Sequence, residues 1–161
     1  MNNDEYNSQL AAAYTVASVR NLVDQKIELA FVYEARDGPQ TNLGILTATG
    51  VKKPRYDALL MLNKLEGYRL DLQGEGSFVK GIASKSGRKI AVVLTNYDKN
   101  GANTELVPVT FSGLAAGSYR FKVTTLGGTE LTLRLSTKGE DLTRNILMKP
   151  NSVSAVELIS E

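Results

Sequence analysis

The pattern of apolar residues changes near Gly67, and this change constrains the fold more than any other feature of the chain. Before Gly67 the order reads helix, strand, loop, helix; after it come short strands and turns. Leu10, Ala13, Tyr14, Ala17, Val19, Leu22 and Val23 recur at roughly helical spacing and predict a helix over Ser8–Asp24, with the Ser8 hydroxyl as its N-cap. Ile27–Glu34 reads as a strand with a centre apolar on both faces, as in a parallel sheet covered on both sides. Ala35–Lys53 reads as a long loop with turn signals at Asp37-Gly38-Pro39 and Thr49-Gly50, and with a short strand around Leu43–Leu46. Pro54 sits where the missing N–H does no harm, at the first position of a second helix, and Gly67 is placed to end that helix.

Beyond Tyr68 the runs Phe78–Lys85, Lys89–Tyr97, Thr104–Phe111, Ser118–Leu126, Thr129–Leu135 and Ser152–Ile159 predict strands, with a shorter one around Asn145–Met148. Ser86-Gly87, Asp98-Lys99-Asn100-Gly101, Ala116-Gly117 and the hairpin signal Gly127-Gly128 punctuate them. Strands this short at this spacing point to an antiparallel sandwich. The fold class expected is therefore α+β, mainly β. Residues 1–67 form a helix-strand-helix segment, and residues 68–161 an antiparallel β-sandwich.

The composition narrows the chemistry. Of 161 residues, 42% are apolar and 22% charged, enough for a packed core. The net charge of +2 comes from Lys and Arg scattered among Asp and Glu, which argues against a nucleic-acid partner. With no His and no Cys, thiolate chemistry, histidine metal sites and His general bases are out, so acid–base work falls to Asp, Glu, Lys or Tyr. No cofactor or metal is expected. No apolar run approaches the roughly 20 residues of a membrane span, so no membrane partner is expected either. Met1-Asn2-Asn3-Asp4-Glu5 is too polar for a signal peptide. If the chain is a fragment, any leader of the parent would lie upstream; the compartment stays open, with an extracellular one compatible.

Asn42-Leu43-Gly44-Ile45-Leu46, Gly50, Lys53-Pro54-Arg55-Tyr56-Asp57-Ala58 and Leu62-Asn63-Lys64-Leu65, followed later by Ala91-Val92-Val93-Leu94-Thr95-Asn96-Tyr97-Asp98, carry a family resemblance. They resemble the passage that closes the (β/α)8 barrel and opens the sandwich in clan-A retaining glycoside hydrolases of the β-xylosidase and α-iduronidase type (family 39). The resemblance implies that residues 1–67 are a barrel remnant and that the chain is the C-terminal portion of a longer enzyme. In that family the seventh barrel strand ends at the catalytic nucleophile in a motif like T-E-W-N-S. Asp4-Glu5-Tyr6-Asn7-Ser8 occupies that place, so the resemblance makes Glu5 the candidate nucleophile and puts Tyr6 and Asn7 beside the substrate. Tyr6 stands for Trp, and Asp4 stands for Thr or Ser, setting a like charge next to Glu5.

A retaining glycosidase needs two carboxyl groups about 5–5.5 Å apart, one attacking the anomeric carbon and the other acting as acid and then base. The family's acid/base residue lies on the fourth barrel strand, which this chain lacks, so the isolated chain is expected to be inactive. Phe31, Tyr33, Glu34 and Asp37 lie where the eighth strand would open into the site, as further substrate-binding candidates. Each has a plainer role: Glu5 near a positive helix N-terminus, Phe31 and Tyr33 in a core, Glu34 and Asp37 in a solvated loop. Asn96, Tyr97 and Asp98 read as structural turn residues. Tyr68, Phe78, Tyr97, Phe111, Tyr119 and Phe121 read mostly as core. The partners expected are a carbohydrate, if the chain is active, and a polypeptide that covers the bare strand: another copy of this chain or one carrying the rest of the barrel. A non-catalytic carbohydrate-binding module and a self-assembling structural protein remain as alternatives.

Overall fold

The computed structural model describes residues 3–161; Met1 and Asn2, part of the polar start, lie outside the described residues. The helices are α1 (Asn3–Tyr6), α2 (Gln9–Asp24) and α3 (Pro54–Leu62). The strands are β1 (Tyr68–Leu70), β2 (Val79–Ser86), β3 (Lys89–Asn96), β4 (Glu105–Phe111), β5 (Gly117–Thr125), β6 (Glu130–Thr137), β7 (Leu142–Met148) and β8 (Val153–Ser160). Six of them form an antiparallel sheet in the order β1-β2-β3-β8-β5-β6, faced by a two-stranded ribbon, β4-β7. The antiparallel sandwich expected from the sequence is present, and the strand around Asn145–Met148 is longer than expected, starting at Leu142.

Side chains alternate across a strand, so β3 and β8 feed two cores at once. Val92, Leu94, Val156 and Leu158 point to the ribbon and pack with Val109, Phe111, Phe121, Ile146 and Met148. Val93, Val153 and Ala155 point the other way and pack on Ala12, Ala13 and Val16 of α2 and Ala58 and Met61 of α3. The molecule is thus three layers: helices, sheet, ribbon. The alanines of α2 let its backbone approach closely enough for the Thr95 hydroxyl to donate to the Ala13 carbonyl at 3.1 Å. Lys64 adds a 2.5 Å ion pair with Glu157. Of the aromatic residues expected in the core, Phe111, Tyr119 and Phe121 are buried, whereas Tyr68 is 59% exposed.

Local chemistry sets the helix ends. Ser8 is the N-cap of α2, its hydroxyl accepting from the Leu10 N–H at 3.2 Å. At the other end Ile27 N donates to Leu22 O and Lys26 N to Val23 O, the paired bonds of a Schellman stop. The residue in the left-handed position of that stop is Lys26, at φ 55°. Pro54 opens α3 as expected, but the helix stops at Asn63, before Gly67. Gly67 serves another need: at φ +78° it passes so close to β2 that a Cβ would lie 2.2 Å from the Lys85 carbonyl oxygen.

The strand expected over Ile27–Glu34 is not formed, which corrects the helix-strand-helix remnant to two helices joined by an extended, largely exposed segment. Leu29, Phe31 and Tyr33 are 70%, 87% and 70% exposed. A parallel strand exists only by pairing with neighbours; among the described residues the segment is held only at its ends, Ile27 N–H donating to the Leu22 carbonyl at 3.0 Å and the Glu34 carbonyl accepting from Ile45 N–H at 3.1 Å. Leu43–Leu46 is not a strand either; Leu46 makes only isolated bridges to Arg36 and Lys52.

Sheet edges and turns are closed by side chains. β1 stops opposite Ala83, leaving the Gly81 edge of β2 without a strand. Arg20 Nε donates to the Gly81 carbonyl at 2.7 Å, Gly81 N–H donates to Glu75 at 3.2 Å, and Arg20 and Glu75 pair at 3.0 Å. This ion pair stands in for a neighbouring strand. The turn after β3 wraps round the Asp98 carboxylate, which accepts from the N–H groups of Asn100, Ala102 and Asn103 and from the Asn103 amide at 2.7–3.0 Å. Burial alone would raise the pKa of Asp98, but these donors hold it below its ordinary 3.8.

Two predictions follow from these contacts. A non-glycine residue in the left-handed region costs roughly 1–2 kcal/mol, so Lys26→Gly is expected to raise stability by about 1 kcal/mol in urea denaturation. Because the folded-state pKa of Asp98 is depressed, its contribution is present above pH 3.8 and lost as pH falls through the lower folded value. Asp98→Asn is therefore expected to lower the urea midpoint at pH 7, with the gap to the parent narrowing below pH 3.8.

Candidate functional site

Three of the candidates sit together ahead of α2. Glu5 and Tyr6 belong to the single turn α1, and Asn7 joins it to the Ser8 cap. Glu5 is half-buried, and its carbonyl accepts from both the N–H and the hydroxyl of Ser8, at 3.1 and 2.7 Å. The turn is thereby fastened to the α2 N-terminus.

Arg55 of α3 ties this region to the rest of the helical layer. Its guanidinium lies 5.8 Å from the centre of the Tyr6 ring, donates to the Leu43 carbonyl at 2.9 Å, and reaches Thr15 Oγ1 at 3.2 Å. Burial lowers the pKa of Arg55 from its ordinary value, and Tyr6 and Tyr14 pull it back up. Beside Tyr6 is a small pocket of about 150 Å³ lined by Tyr6, Leu10, Tyr14, Tyr97 and Lys99. Tyr14 and Tyr97 meet there with ring centres 5.7 Å apart.

The other candidates fall elsewhere. Phe31 and Tyr33 project from the extended segment, so the core placement weighed for them does not hold. Glu34 accepts from the Thr41 hydroxyl. Asp37 is engaged by Lys53: Nζ and Oδ1 are 2.6 Å apart, with the two side chains only 2% and 7% exposed. The same Asp37 oxygen accepts from Gly44 N–H at 2.9 Å, and Lys53 Nζ also donates to the Asn42 carbonyl at 2.9 Å. A solvated-loop role for Asp37 is thus corrected: burial of its partner makes the pair the clasp of the 35–53 loop. Lys53 and Arg55, which hold this layer together, were not among the site candidates. Their signal was the Lys53-Pro54-Arg55-Tyr56 run, which spaces two cations around a helix start.

Among the described residues no group of three or more Asp or Glu is placed to hold a metal ion, and no helix is long and apolar enough to cross a membrane.

No protein-family model and no curated protein matches the sequence. Solved structures do match the fold. A monomeric β-xylosidase from Caulobacter crescentus CB15 superposes with a TM-score of 0.75 at 18% identity, over 96% of this chain and 42% of that one. The GH39 enzyme from Xanthomonas axonopodis pv. citri gives 0.72 at 14% identity, over 97% of this chain and 42% of that one. An α-L-arabinofuranosidase from Thermotoga maritima gives 0.64 at 17% identity, over 94% and 38%. The chain therefore has the fold of part of these glycoside hydrolases and spans about two fifths of their length.

Removing one partner of a buried ion pair costs about 3–5 kcal/mol, because the other charge is left without compensation. Lys53→Met is expected to destabilise the chain by about that amount in urea denaturation. The double variant Lys53→Met/Asp37→Leu is expected to recover much of the loss.

Proposed function

We propose that this chain is the C-terminal piece of a retaining O-glycoside hydrolase, with residues 1–67 derived from the end of the barrel and residues 68–161 forming its β-sandwich. The supporting observation is the agreement in fold over nearly the whole chain with less than half of a β-xylosidase. The Asp4-Glu5-Tyr6-Asn7-Ser8 run, fastened to the start of the alanine-rich α2, agrees with it.

In this proposal Glu5 supplies the nucleophile once the missing strands are present, and Tyr6 and Asn7 border the sugar. The acid/base carboxyl comes from the absent barrel, so the isolated chain does not hydrolyse glycosides. Ile27–Glu34 becomes the eighth barrel strand when neighbours flank it. Phe31 and Tyr33 then turn toward substrate or barrel, and Glu34 stands at the strand's end. Asp37 keeps the following loop closed.

A chimera tests this directly: this chain replaces the matched region of the Caulobacter crescentus β-xylosidase, and cleavage of an aryl β-xyloside is measured. Cleavage that Glu5→Ala abolishes is the expected result. A folded chimera without activity, or one indifferent to Glu5→Ala, would refute the proposal.

The tyrosine pocket favours a second reading, a non-catalytic sugar-binding module, since three aromatic rings and Lys99 border one small hollow. That reading requires the isolated chain to bind xylo-oligosaccharides and to lose binding in Tyr14→Ala, with Glu5→Ala having no effect.

A further inference from the structure

The two edges of the six-stranded sheet are finished differently. At one edge β1 is only three residues long, and beyond it the Arg20–Glu75 pair closes β2. At the other, β6 runs for eight residues and pairs with β5 alone among the described strands. Its sequence, Glu130-Leu131-Thr132-Leu133-Arg134-Leu135-Ser136-Thr137, holds no Pro and no Lys, the residues that commonly blunt an edge. Leu131 and Leu133 are 51% and 37% exposed.

The hairpin fixes which groups face outward. Thr125 N–H donates to the Thr129 carbonyl at 2.8 Å, and Thr124 lies opposite Glu130. Hydrogen-bonded and non-hydrogen-bonded pairs alternate along an antiparallel ladder. Leu131, Leu133 and Leu135 therefore direct their N–H and C=O groups to β5, while Glu130, Thr132, Arg134 and Ser136 turn theirs to the open edge. Side chains sort in the same way. Val123, Phe121 and Tyr119, opposite the three leucines, are buried under the ribbon, so the leucines share that face and Glu130, Thr132 and Arg134 lie on the other.

A strand that matches this edge in face, phase and charge is β6 itself. Two copies related by a two-fold axis run antiparallel, and the contact is closed. With the axis at Thr132, Glu130 of each copy faces Arg134 of the other, and Leu131 faces Leu133. The outward groups of Glu130, Thr132 and Arg134 then meet as hydrogen-bonded pairs, and the leucines fall at the positions where side chains approach most closely. An axis at Glu130 or at Arg134 would set like charges opposite each other. An axis at Leu131 or at Leu133 would leave both charges facing Thr, Ser or Gly. A slip of one residue would turn the leucines to the polar face. Within each copy Lys122 pairs with Glu130 at 2.9 Å and Arg134 with Glu161 at 2.8 Å. Across the axis these become a row of alternating sign: Glu161 and Arg134 of one copy, then Glu130 and Lys122 of the other.

We propose that two copies of this chain associate through β6, antiparallel about Thr132, so that their two sheets become one. The contact does not depend on the glycosidase proposal, because β6 lies two strands from β8, on which the helices rest.

Light scattering on the purified chain across micromolar to millimolar concentration tests the association. The expected mass rises from 17.5 kDa to twice that value. As the dimer forms, the amides of Glu130, Thr132 and Arg134 slow in hydrogen exchange, while those of Leu131 and Leu133, already bonded within the hairpin, change much less. Arg134→Glu sets like charges opposite each other at two places and is expected to raise the dissociation constant about tenfold, as is Glu130→Arg. The double variant Glu130→Arg/Arg134→Glu restores opposite charges across the axis but leaves Lys122 and Glu161 facing like charges within each copy. Association that recovers in it therefore reports on the contact between copies and not on the folding of the hairpin. A chain that stays monomeric throughout, a dimer whose Glu130, Thr132 and Arg134 amides exchange as in the monomer, or a double variant as weak as the single ones would overturn the proposal.

Discussion

Pairing between β3 and β8 is the contact on which everything else rests. The two strands run antiparallel through the middle of the sheet and are buried on both faces for most of their length. One face holds the ribbon, the other the helices. At about 25 cal/mol per Å² of apolar surface removed from water, two-sided burial makes these strands the densest source of hydrophobic stabilisation in the chain. It also couples the layers, because loosening either one exposes the same two strands. The helices therefore need not be held by a complete barrel; α2 and α3 have a floor of their own in Val93, Val153 and Ala155.

What the helical layer lacks is lateral neighbours. Its connecting segment is rich in residues that favour strands, yet no described strand pairs with it, so its largest side chains face water. The candidate site shares this incompleteness. Glu5 is anchored at a fixed place by the Ser8 cap, while Glu34 and Asp37 are engaged by Thr41, Lys53 and Gly44 in holding their loop.

Much of the architecture was legible in the sequence because its signals are local. The Ser8 cap, Pro54 at a helix start, the Gly127-Gly128 hairpin and the period-two runs of the sandwich each depend on residues close in the chain. The misjudged features depend on distant ones. Ile27–Glu34 has the composition of a strand, but pairing decides its state, and no described strand flanks it. Gly67 looked like a helix stop, yet its glycine is required by the Lys85 carbonyl across the turn. The Asp37–Lys53 clasp joins residues 16 apart and became visible only when the loop closed. The carboxylate of Asp98 was read correctly as structural because its donors are the next few residues.

The account's central claim is that Ile27–Glu34 is a strand-like sequence left as an exposed segment that no described strand pairs with, carried on a sandwich that is stable without it. Residue-resolved amide hydrogen exchange on the dilute, monomeric chain tests this most directly. The account predicts the slowest exchange in β3 and β8, and exchange close to that of an unstructured peptide throughout Glu28–Glu34, beyond the Ile27 amide that closes α2. Protection of Glu28–Glu34 comparable to that of β3 in the monomer would contradict it, by showing that the segment already has a partner within the chain.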